Sequence, residues 1–316
     1  ADGLRAMAQR PKLRAVVYYN YAMPDYLDGQ DYDFRLDADA ASRAALATAV
    51  RNGGYCQTLN EGRSARAIQE PRGAGARLGV GLADPGHADA FSNMAGKRHS
   101  LVLVFASSAS QAASVRYVLD LIRRQGRTAF LLWDPTGWRL DEVVAGKHDA
   151  QLTQLARYIA SVRSTVLVAW GIEPNNSLSG NSWSGAANGA AAGGAERYVA
   201  AWRRVHDVFG ANGASNVYWV WVPHYQDTMP AEWYGNRPAW RRSPPGWTHF
   251  ARYYPGGEYV DWIGVLAVNE GNDVGCGTYW VPPRTFLGPA VTLGARLWPT
   301  TPQLVIATSV EDPHDP

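Results

Sequence analysis

The sequence predicts an α/β protein built as a (β/α)8 TIM barrel. Two observations carry this prediction: eight apolar, strand-like runs recur along the 316 residues, and polar, helix-like stretches separate most of them. Runs that are apolar almost throughout are typical of parallel strands covered on both faces. A doubly wound open sheet is the alternative, and it is disfavoured because no Gly-rich phosphate loop follows the early strands.

Each predicted element follows from its pattern along the chain. The predicted strands are residues 13–20, 77–84, 99–107, 128–135, 165–173, 216–223, 259–268 and 303–310. The helix-like stretches are residues 37–50, 111–126, 149–162 and 195–213. In the third of these stretches, apolar residues fall on one helical face: Leu152, Leu155, Ala156 and Ile159. Eight strands that alternate with helices in this way describe the barrel.

Composition and charge exclude several classes of protein. The 30 basic and 28 acidic residues are mixed along the chain and give a formal net charge of +2, so no basic stripe argues for nucleic acid or an anionic membrane. No apolar run reaches the roughly 18 residues that a membrane span needs. Cys56 and Cys276 could form one disulfide or remain two free thiols, so cysteine usage does not decide the compartment.

Aromatic residues and two long loops mark the predicted functional end of the barrel. The 13 Trp and 16 Tyr are many for this length; rings near loops could stack on sugars, or they could simply fill a core. Residues 177–195 are rich in Gly and Ala, which predicts a mobile loop, and residues 226–257 are rich in Pro and Trp. Both segments follow the carboxyl ends of strands, where the active sites of barrels lie.

An ordered set of residues within three stretches, 144–176, 195–223 and 253–265, resembles a known family. The residues that carry the resemblance are Gly146, Asp149, Glu173, Trp202, Arg203, Asn216, Trp219, Trp221, Tyr254, Pro255, Gly256, Val260, Asp261 and Trp262. In this order they are similar to glycoside hydrolase family 26, the β-mannanase family. With the flanking strands, the similarity covers most of residues 77–310.

The resemblance implies a circularly permuted order of the barrel. Residues 1–53 resemble the family's last helix–strand–helix segment, residues 54–76 form a linker, and residues 77–316 resemble strands one to seven, so that 1–316 is a single barrel. Permutation predicts that Ala1 and Pro316 lie close together. The alternative is that residues 1–60 are an unrelated extension, which would leave an unclosed, seven-stranded barrel with an exposed edge.

Hydrolysis of a glycoside needs two carboxyl groups, and the first candidate is Glu173. It ends the strand at 165–173 and matches the family's acid/base position; the alternative is a strand-end carboxylate that caps the following loop. Thr308 stands where the family has its nucleophilic glutamate. The candidates for the second carboxylate are therefore Glu270, after the strand at 259–268, and Glu311. Glu311 follows Thr308 by three residues, so in an extended chain it would lie about 10 Å beyond the nucleophile position unless the chain curls back.

Other positions depart from the family. Its arginine and its histidine near the acid are replaced here by Ala169 and Ile172, and the tyrosine after the strand at 259–268 has no clear match. Such losses imply a rebuilt site or an inactive one. Simple β-mannan is therefore not the expected substrate.

The predicted substrate-binding residues lie at or just after strand ends. They are Asp84, Trp133, Asp134, Asn175, Trp219, Trp221, His224 and Tyr225. Trp221 matches the family's sugar-stacking position, although core packing is the alternative, and His224 either donates to a hydroxyl or is a solvated loop residue. No Cys/His/Asp cluster has metal-ligand spacing, so we expect no metal and no cofactor. A Gly-x-Ser-x-Gly nucleophile turn is absent.

These observations predict a monomeric glycoside hydrolase, extracellular or periplasmic, that cleaves within a β-linked polysaccharide and binds polysaccharides or oligosaccharides. A catalytically inactive barrel of the same family that only binds glycan is the alternative. A third hypothesis is a partner subunit that uses residues 226–257 as its interface.

Overall fold

The computed structural model describes residues 13–20, 22–23, 32–33, 35, 40–52, 55, 76–108, 112–176, 180–225, 246–269 and 287–309. Its strands are β1 Leu13–Asn20, β2 Ala22–Met23, β3 Tyr32–Asp33, β4 Arg77–Leu82, β5 Leu101–Ser107, β6 Thr128–Asp134, β7 Val166–Trp170, β8 Val217–Trp221, β9 Trp262–Asn269 and β10 Gln303–Ser309. Eight of them close into a barrel in the order β1, β10, β9, β8, β7, β6, β5, β4, which confirms the predicted fold class. The short β2 and β3 pair antiparallel, apart from the barrel.

Helices separate most of the barrel strands along the chain. They are α1 Ala40–Asn52, α2 Ala88–Met94, α3 Ala112–Arg124, α4 Leu140–Val144, α5 Asp149–Val162, α6 Gly194–Ala211 and α7 Gly288–Leu297. Short 3-10 helices span Pro85–His87, Gly246–Thr248 and Phe250–Tyr253. The apolar face predicted for 149–162 is confirmed, since the residues of α5 that are buried are Leu152, Leu155, Ala156 and Ile159.

The strand nearest the amino terminus is an integral part of the barrel. In β1, Val16 pairs in parallel register with Val305 of β10 on one side and with Leu78 of β4 on the other. The alternative of an unrelated extension beside an unclosed, seven-stranded barrel is therefore wrong. Ala1, Pro316 and most of the 54–76 linker lie outside the described residues, and the permuted order stays a prediction.

The chain divides into two compact units. The first contains Ala1–Leu103, Thr228–Ser243 and Val265–Pro316, and the second contains Val104–Asp227 and Pro244–Gly264. In the first unit, β4 is buried along its whole length, and Gly79 is its narrowest point. A Cβ atom added there would lie 2.8 Å from both the Leu101 and the Val17 side chains, so only glycine fits between β1 and β5.

In the second unit, helix α6 covers strands β6 to β8. Its buried side chains recur every three or four residues and include Tyr198, Trp202 and Phe209, as expected for an amphipathic helix on a sheet. Trp202 contacts Trp170 of β7 and Trp219 of β8 edge to face, with ring centroids 6.3 and 5.9 Å apart. Aromatic contacts of this kind fix the helix over the strand ends that carry the candidate site.

Replacing Gly79 with alanine tests the close approach of β1, β4 and β5. We expect Gly79→Ala to lower the free energy of unfolding by about 1–3 kcal/mol, because the added methyl group overlaps Leu101 and Val17. Gly210 of α6 is a matched control, since an added Cβ meets nothing within 4 Å there, and Gly210→Ala should raise stability by up to about 1 kcal/mol. Urea unfolding of both variants measures the difference; equal effects would contradict the packing described for β4.

Candidate active site

The carboxyl ends of β6, β7 and β8 bring the candidate site together. Trp133 of β6 pairs with Trp170 of β7, so Asp134 ends its strand beside the point where β7 ends. Glu173 follows three residues after Trp170, and its N–H donates to the Val222 carbonyl just past β8, at 2.7 Å. Parallel strands end on the same side of a barrel, and this side is where barrel enzymes carry their chemistry.

Glu173 has an unusual backbone conformation. Its φ angle is 51°, in the left-handed region, and its side chain is half-buried. For a residue other than glycine, this conformation raises the free energy of the folded state by roughly 1–2 kcal/mol. Strain of this size persists where the surrounding structure holds the residue in place, and it is concentrated at functional sites. The sequence contained no signal for it.

Hydrogen bonds hold the backbone around Glu173 on both sides. These are Gly171 N–H to Trp133 O at 2.9 Å, Tyr198 OH to Gly171 O at 3.0 Å, Trp183 Nε1–H to Ile172 O at 2.9 Å, and Gly185 N–H to Pro174 O at 2.7 Å. Tyr198 and Trp183 therefore position the acid, although sequence reasoning assigned neither of them to the site. Each comes from a segment that follows β7, and only the fold brings it back to this strand.

Asn175 connects the chain after β7 to two other segments. Its side chain is fully buried; Nδ2 donates to the carbonyls of His224 and Thr248, at 2.7 and 2.9 Å, and Oδ1 accepts the His224 N–H at 2.8 Å. Asn175 was predicted to bind substrate. In the structure its amide group bonds to these three backbone groups, and its effect on the site is to fix the turn that begins at Glu173.

Residues 180–193 differ from the mobile loop that their composition predicts. They form turns in which Trp183 and Ser184 are buried. The glycines permit a close approach: a Cβ atom on Gly194 would lie 2.5 Å from the Gly185 carbonyl oxygen. The Gly- and Ala-rich composition thus allows this segment to pack against the end of β7.

Asp134 and Glu173 interact through their charges. Burial, and then the negative charge of Glu173, raise the pKa of Asp134 to about 7, while the Ile172 N–H lowers it. Oδ1 of Asp134 is buried and has no hydrogen-bond partner among the residues that the structure describes. Asp134 was predicted to bind sugar; the structure also makes it a carboxyl group coupled to the candidate acid.

Trp133 and Trp219 lie beneath α6. The ring of Phe209 contacts both, with centroids 6.1 Å from Trp133 and 5.2 Å from Trp219, and the two residues are 5% and 4% exposed. Side chains alternate along a strand, so Trp133 faces the helix while the next residue, Asp134, faces the other way. The prediction that both tryptophans line the site differs from this arrangement, in which they form core.

Trp221 and Tyr225 are also enclosed. Trp221 is fully buried, and its ring meets Tyr254 edge to face at 5.2 Å. Tyr225 is 2% exposed and donates its hydroxyl to the Gly264 carbonyl at 3.3 Å. Neither ring presents the open face that stacking on a sugar needs, so core packing, the alternative for Trp221, describes both.

His224 is half-buried beside Asn175. Its ring Nδ1 is buried and has no hydrogen-bond partner within the described part of the chain. Asp84 belongs to the first unit. There its Oδ1 accepts the Gly86 N–H at 2.8 Å and caps the 3-10 helix Pro85–His87, and its side chain is 60% exposed.

Several predicted features fall on residues that the structure does not describe. Glu270, Glu311, Cys56 and Cys276 lie outside the described residues, as does the 226–257 segment up to residue 245. Thr308 is a residue of β10.

Within the described ranges, no cluster of three His, Cys, Asp or Glu residues could hold a metal ion. None of the helices described is both long and apolar enough to span a membrane.

The chain is similar to known glycoside hydrolases. It is 25% identical over 191 residues to endoglucanase H of Acetivibrio thermocellus, across 60% of this chain and 19% of that protein, so it spans about a fifth of the length of this curated relative. Solved structures that resemble it include a GH26 β-mannanase from Bacteroides ovatus (11% identity, 97% of this chain and 83% of that one, TM-score 0.46). A mannanase from Bacillus subtilis is a further example (11% identity, 96% and 82%, TM-score 0.41). No protein-family model matches the chain.

Replacing Glu173 with glycine or alanine tests the strain at this position. Glycine adopts the left-handed conformation freely, so we expect Glu173→Gly to be about 1 kcal/mol more stable than Glu173→Ala. Arg163, which ends α5 with a φ of 55°, provides the control: its Gly and Ala variants should differ by the same amount. Thermal or urea unfolding measures both pairs. Equal stability of the two Glu173 variants, beside a clear difference at Arg163, would argue against a strained acid.

Replacing Asn175 tests whether this residue positions the turn. We expect Asn175→Ala to lower the free energy of unfolding by about 2–3 kcal/mol, because its partners lose buried hydrogen bonds, and to impair any activity of the site. Asn216 is the matched control, since its side chain donates to the carbonyls of Ile159 and Ser164 at 2.9 and 2.7 Å. Asn216→Ala should cost comparable stability and leave activity per folded molecule unchanged. An Asn175→Ala variant that is destabilised but fully active would rule out the positioning role.

Proposed function

We propose that the chain is a glycoside hydrolase that cleaves within a β-linked polysaccharide, with Glu173 as the general acid/base. The observation that carries the proposal is the combination found at Glu173: a strained acid at the carboxyl end of a barrel strand, with a second carboxyl group, Asp134, close enough to feel its charge. Glycoside hydrolysis uses a carboxyl group held in place as general acid, together with a partner carboxylate. Similarity to endoglucanase H supports the same class of reaction.

The chemistry follows from the position of Glu173. As general acid it gives a proton to the glycosidic oxygen while the bond to the sugar breaks, and as base it then takes a proton from the incoming water. The partner carboxylate either attacks the sugar, at a separation of about 5 Å, or activates water, at roughly 6.5–9.5 Å. Glu270 and Glu311 remain candidates for this partner.

The substrate is proposed to be a β-glucan or a related β-linked polysaccharide. The relative's name, endoglucanase, supports a glucan and internal cleavage. Ala169 and Ile172 replace residues that the β-mannanase family uses near the acid, which argues against simple β-mannan. A polymeric substrate implies action outside the cell, and we propose a secreted monomer.

A catalytically inactive barrel that binds glycan is the second candidate. Thr308, at the position of the family's nucleophile, favours it. This hypothesis predicts that no carboxylate lies within about 10 Å of Glu173 at the mouth of the barrel. The effect of the Glu173 charge on the pKa of Asp134 argues against it. A partner-subunit role would rest on residues 226–257, and we place it third.

Release of reducing sugars from a panel of polysaccharides tests the proposal. The panel is β-mannan, β-xylan, mixed-linkage β-glucan and bacterial exopolysaccharides, with viscosity measured to detect internal cleavage. We expect hydrolysis of at least one substrate by the wild type and a loss of about a hundredfold or more in Glu173→Gln, because proton transfer to the leaving oxygen is removed.

The control is a solvent-exposed glutamate of the same unit. Glu196 of α6 is 65% exposed and pairs with Arg252 at 3.1 Å, so Glu196→Gln should retain full activity. Absence of release on every substrate, with glycan binding retained by wild type and Glu173→Gln alike, would replace the enzyme by the inactive, glycan-binding barrel.

A further inference from the structure

Phe105 is an exposed aromatic residue close to the carboxyl end of a barrel strand. It lies two residues before the end of β5, and 41% of its surface is exposed, whereas residues 101–104 of the same strand are buried. Strand β6 lies between β5 and β7, the strand that leads to Glu173, and Phe105 and Glu173 belong to the same compact unit. An apolar ring that remains exposed at this end of a barrel is a candidate for contact with a ligand.

The direction of the Phe105 side chain decides what its exposure means, because single exposed apolar residues are common on the outer surface of proteins. The register against β6 gives this direction. The Ser108 N–H donates to the Asp134 carbonyl at 2.9 Å. In a parallel ladder this bond sets Phe105 opposite Leu132. Trp133, which follows Leu132, packs under α6, so Leu132 and Phe105 face the interior of the barrel.

The register at the start of β5 gives the same direction. Val102 pairs with Val80 of β4, which pairs with Tyr18 of β1. The Tyr18 ring contacts Phe91 of α2, with centroids 5.8 Å apart, so this set of side chains faces the helices. Phe105 follows Val102 by three residues, an odd number, and alternation therefore turns it to the opposite, inner face.

Phe105 combines this inner position with exposure, unlike the aromatic residues that the sequence assigned to the substrate. Those residues are at most 5% exposed: Trp133, Trp219, Trp221 and Tyr225. Strands β5 and β6 are described throughout, and among their inward-facing apolar side chains Phe105 is the one that solvent reaches. A phenylalanine ring carries no polar atom, so what it offers a ligand is flat apolar surface.

We infer that Phe105 is a sugar-binding platform of the candidate site: its ring packs against the apolar face of one sugar ring of a β-linked polysaccharide. Sugar rings present flat faces of C–H groups, and the contact removes apolar surface of both partners from water. The inference rests on the proposed function for the class of ligand. It adds a binding residue on β5, a strand to which the sequence assigned no part of the site.

The next inward position on β5 supports a sugar as the ligand. Ser107 follows Phe105 by two residues and lies opposite Asp134, whose buried Oδ1 has no hydrogen-bond partner among the described residues. A hydroxyl at the edge of a sugar ring on Phe105 supplies a donor to this oxygen, while the face of the same sugar meets the phenyl ring. Apolar surface beside a few polar groups is the usual composition of a ligand site. This arrangement agrees with the sugar-binding role predicted for Asp134.

Binding without turnover tests the platform. The parent is Glu173→Gln, and its dissociation constant is measured by affinity electrophoresis in mixed-linkage β-glucan, β-xylan and β-mannan. We expect at least one of these polysaccharides to retard the parent. In the same background Phe105→Leu should raise the dissociation constant about tenfold, because the flat ring is lost while apolar volume is kept. Phe105→Tyr keeps the ring and should bind within about twofold of the parent.

Tyr117 of α3 is the matched control, since it is an aromatic residue of the same unit and is 68% exposed on a helix. Tyr117→Leu should leave the dissociation constant unchanged, and a loss equal to that in Phe105→Leu would overturn the inference. Equal binding by Phe105→Leu and the parent would overturn it too, as would binding by Phe105→Tyr as weak as that of Phe105→Leu. Absence of binding to all three polysaccharides would have the same consequence.

Urea unfolding separates a role in binding from a role in the core. Phe105→Leu should unfold at the same urea concentration as the parent, because leucine keeps the apolar contacts of the buried part of the ring. Early unfolding together with weak binding would assign Phe105 to the core and overturn the inference.

Kinetics with Glu173 in place separate the inference from the proposed function. The phenyl ring exchanges no proton or charge with the reacting bond, so its contact is equally strong in the bound substrate and in the transition state. If the wild type hydrolyses a polysaccharide, Phe105→Leu should therefore raise KM and keep kcat, and an unchanged KM would refute the platform in an active enzyme. If binding depends on the ring and no polysaccharide is cleaved, the proposed function fails and the platform stands.

Discussion

The chain leaving β7 must satisfy its backbone polar groups at a point where the strand ladder has ended. Buried N–H and C=O groups without partners are costly. Here the partners are the carbonyls of Trp133 in β6 and of Val222 just past β8, the Tyr198 hydroxyl, the Trp183 indole and the Gly185 N–H. Because these groups converge on residues 171–174, the direction in which Glu173 leaves the strand is determined. The conformation of the candidate acid is therefore a property of several elements that surround it.

This constraint explains why so many aromatic residues surround the site without lining it. Tyr198 and Trp183 each combine a large apolar surface with one donor, which lets them fill space under α6 or the 180–193 turns and still satisfy a carbonyl. Trp170, Trp202 and Trp219 complete the same layer with edge-to-face contacts. The abundance of tryptophan and tyrosine thus has a structural explanation in the part of the chain that the structure describes.

Periodicity and composition predicted the barrel and most of its strands. Glu173 was expected to end its strand, and it lies three residues beyond Trp170, where β7 ends. Periodicity and composition did not predict which way the strand aromatics face, because alternation gives two sets of side chains and the sequence does not say which set meets the helices. Trp133, Trp219 and Trp221 were predicted to bind substrate, and in the structure all three rings are buried. Asp134 and Glu173 are 39 positions apart in sequence, and the register of β6 against β7 brings them together. No local sequence pattern indicates this register. Glycine at 185 and 194 was read as a sign of mobility because close backbone approach is visible only in three dimensions.

Two energetically unfavourable residues of the second unit lie at the ends of the neighbouring strands β6 and β7. Glu173 has a strained backbone, and Asp134 has a buried oxygen without a hydrogen bond among the described residues. With its pKa raised to about 7, Asp134 contributes stability that is complete below its unfolded value of 3.8 and is lost as the pH rises through 7. A chain selected for stability alone would place glycine at 173 and an apolar residue at 134. Both unfavourable features lie where strands β6 and β7 end, which is the end of the barrel where the candidate site was predicted.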